Sequence, residues 1–215
     1  MEVCSIYELF LRATRDYFSH GYFYYLFIPI YKDKTEEQFK KIDRNLEKSY
    51  DVTFCRTKRY RRKKKGLANC MVLRYKKNVL IMATEGKQEE VEQREFLDIR
   101  NFPLQFAGHE IFICGFRKGG FPKATLRMKG DRIKPIKKIL KKIDLHRANK
   151  VRDFYRNLSP YPFKIVNLQK FHLLKKTNKR RRRAGLRRIQ WSEVQPNWIY
   201  GKRREWKLKQ LQNQK

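Results

Sequence analysis

The chain has 215 residues and carries 54 Lys and Arg against 21 Asp and Glu, which gives a formal net charge of +33 at pH 7. So large an excess disfavours an ordinary soluble domain without a charged partner, because self-repulsion destabilises the compact state and acidic residues serve solubility better. The charge favours a polyanionic partner, RNA or DNA before a membrane surface or an acidic protein. The 40% hydrophobic and 14% aromatic content excludes a wholly disordered chain.

Three features of the sequence bear on the cellular compartment: its apolar runs, its N-terminal residues and its cysteines. The longest apolar run, Tyr22 to Ile30, is too short to span a bilayer, and residues 1–4 show no secretory signal. The cysteines, which are far apart, predict neither a zinc site nor a disulfide framework: Cys4, Cys55, Cys70 and Cys114. We therefore expect a reducing compartment, the cytoplasm or else a nucleoid or organelle interior, and no membrane partner.

The first predicted elements alternate helix and strand. Ser5 and Glu8 have capping-box spacing and start a helix that Gly21 ends. The aromatic and β-branched stretch 22–30 predicts a strand. A second capping box, Thr35 and Gln38, starts a helix over 36–50.

The following elements are mostly strands. Alternation after Asp51 predicts a strand over 51–60, and a hairpin is expected around Lys76-Lys77-Asn78, between strands 71–75 and 79–84. A short helix is expected within 88–96, then strands at 104–114 and 122–128. Helical periodicity covers 133–143 and fades after about residue 159.

Charge divides the chain unevenly. Residues 1–120 contain 24 basic and 16 acidic residues, whereas residues 121–215 contain 30 and 5. We expect an α+β nucleic-acid-binding domain over 1–157 with a basic hairpin insert at 56–66. A basic, partly extended C-terminal extension interleaved with aromatic residues is expected over 158–215. The predicted fold is a mostly antiparallel sheet with split β-α-β elements and helices on one face, which leaves the other face open to a ligand.

The densest basic run lies between two predicted strands, and we interpret it as a hairpin tip or exposed loop. Like charges this dense repel one another, and phosphates would relieve the repulsion; a solvated charged loop is the alternative. The candidate phosphate-binding residues are Arg56, Lys58, Arg59, Arg61, Arg62, Lys63, Lys64 and Lys65.

Further candidate nucleic-acid contacts lie towards the C-terminus. Arginine binds phosphate through two parallel hydrogen bonds and stacks on bases, and exposed aromatic residues either dock on the domain or stack on bases. A targeting signal or a solvated helix face would explain the same charges. The candidates are Arg117, Lys118, Lys137, Lys138, Lys141, Lys175, Lys176, Lys179, Arg180, Arg181, Arg182, Arg183, Arg187, Arg188, Trp191, Trp198, Tyr200, Arg203 and Arg204.

A short segment, Lys65-Gly66-Leu67-Ala68, resembles the start of the RNP1 signature of the RNA-recognition motif. The predicted order of strand, helix, strand, basic loop and strand is similar to that family over about a third of the chain. The resemblance implies a split β-α-β topology. Base stacking is not implied, because Leu67, Asn69 and Met71 occupy the positions of the family's aromatic residues.

An enzyme is the alternative hypothesis. Glu85-Gly86-Lys87 resembles the Glu-x-Lys element of restriction-type nucleases, in which carboxylates hold Mg²⁺ and the lysine orients water. Asp51 could supply the second carboxylate. No paired histidines or Walker-type phosphate loop is present in the sequence.

RNA is the preferred ligand and DNA the alternative. Basic segments interleaved with aromatics suit an irregular folded RNA, and no helix-turn-helix or zinc finger is apparent. We expect a component of a ribonucleoprotein that needs no cofactor, with a partner enzyme as a further option. The alternatives are a DNA-binding mobile-element protein or a nuclease requiring Mg²⁺.

Overall fold

The computed structural model describes residues 4–31, 34–92, 94–159 and 161–194, apart from the side chains of residues 89 and 90. The chain divides into two compact units, residues 1–126 and 127–215. The predicted boundary at 157/158 falls inside the second unit. The structure confirms an α+β fold with antiparallel sheets.

The first unit begins with a helix and two short helical turns, followed by a strand and two further helices. The capping boxes at Ser5 and Thr35 are both formed as predicted. The elements are α1 (Ile6–Leu11), a π-helical turn (Arg12–Tyr17), a 3₁₀ turn (Phe18–His20), β1 (Tyr24–Pro29), α2 (Glu36–Ser49) and α3 (Arg56–Lys64).

The rest of the first unit is mainly β-structure, and its last strand continues into the second unit. The predicted hairpin around Lys76 is confirmed, whereas the predicted strand 104–114 is split by a turn at Ala107-Gly108. The elements are β2 (Cys70–Tyr75), β3 (Asn78–Ala83), α4 (Glu89–Glu92), β4 (Leu97–Asp98), β5 (Leu104–Phe106), β6 (His109–Phe116) and β7 (Pro122–Met128).

The four-stranded sheet has the order β2-β3-β1-β4. Both β1 and β2 run antiparallel to β3, so β1 and β2 are parallel with β3 between them. This is the predicted split β-α-β unit, with α2 and α3 in its crossover. Together with α4 and β4, it completes a β-α-β-β-α-β order of ferredoxin-like type.

Both faces of this sheet are covered, so the prediction of one open face is wrong. On one face Tyr50, which directly follows α2, packs into a buried cluster that contains Val72 and Ile81. On the other, Phe10 of α1 lies 6.1 Å from Phe106 of β5 between ring centroids. Phe106 in turn packs against Phe27 of β1 and Tyr75 of β2, at centroid distances of 5.0 and 6.0 Å. The sheet surface is therefore a core and not a binding platform.

The second unit is helical. Its elements are α5 (Gly130–Lys142), α6 (Ala148–Leu158), α7 (Lys164–Arg183) and a 3₁₀ turn (Trp191–Val194). Helices α6 and α7 pack together through Tyr155, whose hydroxyl lies 2.8 Å from that of Thr177. None of the helices within the described ranges has the length and apolar character that a membrane span requires.

The region after 158, predicted as partly extended, thus contains a helix of 20 residues. Its buried face includes Lys170, Thr177, Asn178 and Arg181 beside Leu173 and Leu174, so no continuous apolar stripe marks it in the sequence. Residues 186–190 have no regular structure.

Candidate nucleic-acid interface

Helix α3 replaces the hairpin insert predicted at 56–66, and the predicted strand over 51–60 is also wrong. Asp51 has a positive φ of 49°, which turns the chain after α2. The charged run then forms a helix, because Lys and Arg are good helix formers and their long side chains can point away from one another. Repulsion between like charges therefore does not extend this segment.

Side-chain hydrogen bonds attach α3 to the segment that precedes β2. The side-chain amide of Asn69 donates to the carbonyl of Arg59 at 3.1 Å. The guanidinium of Arg62 donates from Nη2 to the carbonyl of Ala68 at 2.9 Å. Arg59 and Arg62 are half-buried, so they form the attached side of the helix.

The remaining basic side chains of α3 are exposed: Arg56, Lys58, Arg61, Lys63 and Lys64, with Lys65 following directly. The half-buried ring of Phe54 makes cation–π contacts with two basic side chains of the run. Lys58 Nζ lies 3.8 Å and the Arg62 guanidinium carbon 4.9 Å from the ring centroid. Tyr60, which the sequence analysis did not single out, is 59% exposed. The position of Tyr60 inside a run of basic residues was the sequence signal that could have identified it as a candidate contact.

The residues that directly follow α3 form backbone hydrogen bonds with the segment that contains Glu85-Gly86-Lys87. Lys87 donates its backbone N–H to the carbonyl of Gly66 at 2.8 Å and accepts from the N–H of Ala68 at 3.1 Å. A Cβ on Gly86 would lie 2.5 Å from the nitrogen of Ala68. The glycine is therefore required for this close approach, and the motif has a structural role that its sequence does not reveal.

The residues of the nuclease hypothesis do not form a recognisable metal site. The exposed Glu85 accepts from Nη1 of Arg100 at 2.9 Å, and the same guanidinium binds Asp98 at 2.7 Å. Hydrogen bonds to Asp98, and then to Glu85, raise the pKa of Arg100 above its usual value. Asp51 and Lys87 are exposed. Within the described ranges, no group of three or more His, Cys, Asp or Glu side chains could hold a metal ion.

Helix α7 carries the second basic surface. Five exposed cations of its C-terminal half recur at intervals of three and four residues, which places them on one side of the helix. They are Lys175, Lys176, Lys179, Arg182 and Arg183. Arg187 and Arg188 follow in the irregular segment and are also exposed.

Arg180 and Arg181 differ from their neighbours. The guanidinium of Arg180 donates to the carbonyls of Leu140 and Lys141, at the C-terminal end of α5. Arg181 is 4% exposed and donates to the carbonyls of Leu145 and Arg187. The structure thus shows both arginines bonding to backbone carbonyls, a role that the basic run in the sequence does not reveal.

The remaining basic candidates lie on α5 and in the turn between β6 and β7. Lys137, Lys138 and Lys141 are exposed on α5, whereas Ile136 and Leu140 of the same helix are buried. Arg117 and Lys118 are exposed in the turn between β6 and β7.

Trp191 is the predicted aromatic contact that lies within the described residues. Trp191 packs edge-on against Phe171 at a centroid distance of 5.8 Å, which is the docked arrangement predicted as the alternative to base stacking. Trp198, Tyr200, Arg203 and Arg204 lie outside the described residues.

The exposed cations of α3 and α7 have no acidic partners in the part of the chain that the structure describes. Every ion pair found there involves other segments, such as Arg15 with Asp16 or Arg152 with Glu193. Each helix therefore presents positive charge that the acidic side chains of the described ranges do not neutralise.

Comparison with known proteins adds no family. No protein-family model, curated protein or solved structure matches the chain.

Proposed function

We propose that this protein binds RNA as a component of a ribonucleoprotein and captures a structured RNA through basic helices. The observation that carries the proposal is α3: seven of its nine residues are Lys or Arg, none is acidic, and its exposed cations have no carboxylate partner in the described ranges. Phosphates neutralise such a surface and release condensed counterions, which drives binding.

The geometry of α3 suits phosphate contacts. Its hydrogen bonds to Asn69 and Ala68 hold the helix against the segment before β2, so that ordering the backbone on binding costs little. The basic side of α7 supports the same interpretation in the second unit. Both surfaces contact the backbone of a nucleic acid in this proposal, and RNA is preferred to DNA because the aromatic residues among the cations favour unpaired bases.

A reducing compartment fits this proposal, since all four cysteines are free thiols. We propose a location in the cytoplasm, or in a nucleoid or organelle interior. No feature of the described residues favours the nuclease alternative, because the carboxylate of Glu85 is already paired with Arg100.

The first experiment purifies the full-length protein from its own cells at moderate salt and sequences the nucleic acid that co-purifies, with RNase- and DNase-treated aliquots in parallel. One abundant RNase-sensitive species supports the proposal and names the ligand. A heterogeneous DNase-sensitive mixture contradicts it and favours the DNA-binding alternative.

A second experiment tests the surface with a matched control. Arg61→Gln/Lys63→Gln removes two exposed charges from α3, and Lys41→Gln/Lys48→Gln removes two exposed charges from α2. Affinity for the recovered RNA is measured against salt concentration. The α3 variant should lower the magnitude of the salt slope by about 1.4, that is about 0.7 for each lost phosphate contact. Equal effects of both variants would show that binding depends on the net charge of the protein and not on the position of the charges in α3.

A further inference from the structure

The turn between β6 and β7 combines exposed aromatic and basic side chains. Phe116 ends β6 and is 63% exposed, and Phe121 directly precedes β7 and is 57% exposed. Arg117 and Lys118 lie between them and are also exposed. Large aromatic side chains are costly to leave in water, so two at one hairpin tip mark a binding surface.

The tip is preorganised. Arg117 donates its backbone N–H to the carbonyl of Phe121 at 2.7 Å, and Gly120 donates to the carbonyl of Arg117 at 3.1 Å. Gly119 and Gly120 have φ values of 88° and 78°, which other residues rarely adopt. The backbone therefore holds both phenylalanines in place before any ligand arrives, and binding needs little further ordering.

The surroundings of the rings are open. Within the described residues neither Phe116 nor Phe121 contacts another aromatic ring, in contrast to Phe10, Phe27 and Phe106 of the same unit. A Cβ at Gly119 would lie 3.6 Å from Cδ2 of Phe121, so a larger residue there would cover part of that ring.

We propose that this tip binds unpaired nucleobases, with Phe116 and Phe121 as stacking surfaces and Arg117 and Lys118 as contacts to the adjoining phosphates. The inference rests on the proposed RNA binding and specifies which part of an RNA this site takes. Bases in a duplex stack on each other and offer no free face, whereas bases in loops or single strands do. The site therefore selects loops, bulges or single strands, while α3 and α7 contact phosphates of any RNA.

The proposal is tested by measuring the affinity of the whole protein for two probes. One is a stem-loop RNA with an unpaired loop, and the other is a blunt RNA duplex with the same number of phosphates. Phe116→Ala/Phe121→Ala is compared with Phe102→Ala, since Phe102 is also 57% exposed but lies outside the hairpin. The hairpin variant should lose about tenfold or more in affinity for the stem-loop and keep its affinity for the duplex. Phe102→Ala should change neither.

A second variant guards against a misfolded tip. Phe116→Trp keeps an aromatic surface, so its affinity for the stem-loop should match that of the unsubstituted protein. Its added indole fluorescence should be quenched by the stem-loop and not by the duplex. Unchanged affinity of the double alanine variant for the stem-loop, or an equal loss for both probes, would overturn the proposal.

Three further outcomes are distinguishable. If the alanine variant binds both RNAs normally but loses binding to phosphatidylserine vesicles, the tip is a membrane contact and the proposal is overturned. If the unsubstituted protein binds neither RNA, the proposed function itself fails. If the α3 variant lowers RNA affinity and the hairpin variant does not, only the inference about the hairpin fails.

Discussion

Arg74 of β2 and Asp43 of α2 form a buried, two-pronged ion pair. Nε and Nη2 of Arg74 each donate to a separate oxygen of Asp43 at 2.8 Å, and both side chains are 9% exposed. The guanidinium also lies 4.9 Å from the ring centroid of Phe39. The pair fixes α2 against the sheet, and α2 leads directly into the segment that carries α3.

Removing one partner of this pair should destabilise the first unit strongly. We expect Asp43→Ala to lower the free energy of unfolding by about 3–5 kcal/mol, because it leaves the buried charge of Arg74 unpaired. Chemical denaturation measures the change. Glu36→Ala, which removes an exposed partner of Lys40, is the control and should cost less than about 1 kcal/mol. A cost of similar size for both variants would mean that the Arg74 charge is solvated in solution.

Gly86 should tolerate no side chain. Gly86→Ala would place a Cβ 2.5 Å from the nitrogen of Ala68 at a φ of 131°, and we expect a loss of roughly 2–4 kcal/mol in unfolding free energy. Hydrogen exchange should also show faster opening of α3, whose end is attached to this segment. Gly130→Ala is the control, because no atom lies within 4 Å of its added Cβ. Unchanged stability of Gly86→Ala would disprove the close approach of the two segments.

The four consecutive arginines of α7 should separate into two pairs. Arg181→Ala leaves the carbonyls of Leu145 and Arg187 without their donor and should cost about 2 kcal/mol or more in unfolding free energy. Arg182→Gln/Arg183→Gln removes two exposed charges and should leave stability within about 0.5 kcal/mol. Only the second variant should weaken RNA binding while the helix stays intact, as measured by circular dichroism and a binding titration. Loss of stability in both would place Arg182 and Arg183 in the core as well.

Cys55 should be the most reactive thiol of the chain. The nearby backbone N–H of Lys58, in the first turn of α3, favours the thiolate and lowers the pKa of the exposed Cys55 thiol. A larger thiolate fraction near pH 7 should make it react with iodoacetamide faster than Cys114, which is also exposed. Mass spectrometry of the labelled peptides measures both rates. Bound RNA should slow labelling at Cys55, and equal rates with and without RNA would place the RNA away from α3.

Lys170 should make the stability of the second unit depend on pH. The side chain is 1% exposed and donates to the carbonyl of Ser159 at 3.1 Å, and burial lowers its pKa from 10.5 to about 8. Between pH 8 and 10.5 the unfolded state binds more protons than the folded state, so stability rises with pH in this window.

A Lys170→Met variant isolates this dependence from that of the other lysines. Its unfolding free energy should exceed that of the unsubstituted protein by a larger margin at pH 7 than at pH 10.5, and the two margins should differ by on the order of 3 kcal/mol for a pKa shift of about 2.5. Urea unfolding at several pH values measures the difference. A difference that stays constant across this range would mean that Lys170 keeps its usual pKa in the folded protein.

Local sequence determined much of the first unit. The capping boxes at Ser5 and Thr35, and the turn at Lys76, are set by neighbouring residues, and each formed where it was predicted. The split β-α-β topology also followed, because alternating strand and helix patterns allow few connections. The exposure of most cations of the 56–65 run could also be predicted from the sequence, since so many charges could not be buried within the fold.

Tertiary structure decided how these parts are used. Contacts with Phe54, Asn69 and Ala68 hold the helix formed by the same run against the unit, and none of these contacts is visible in a run of like charges. Arg181 and Arg182 are identical and adjacent, yet one is buried against carbonyls and the other is exposed. A helix turns 100° per residue, so only the packing of its neighbours determines which of two adjacent side chains reaches solvent.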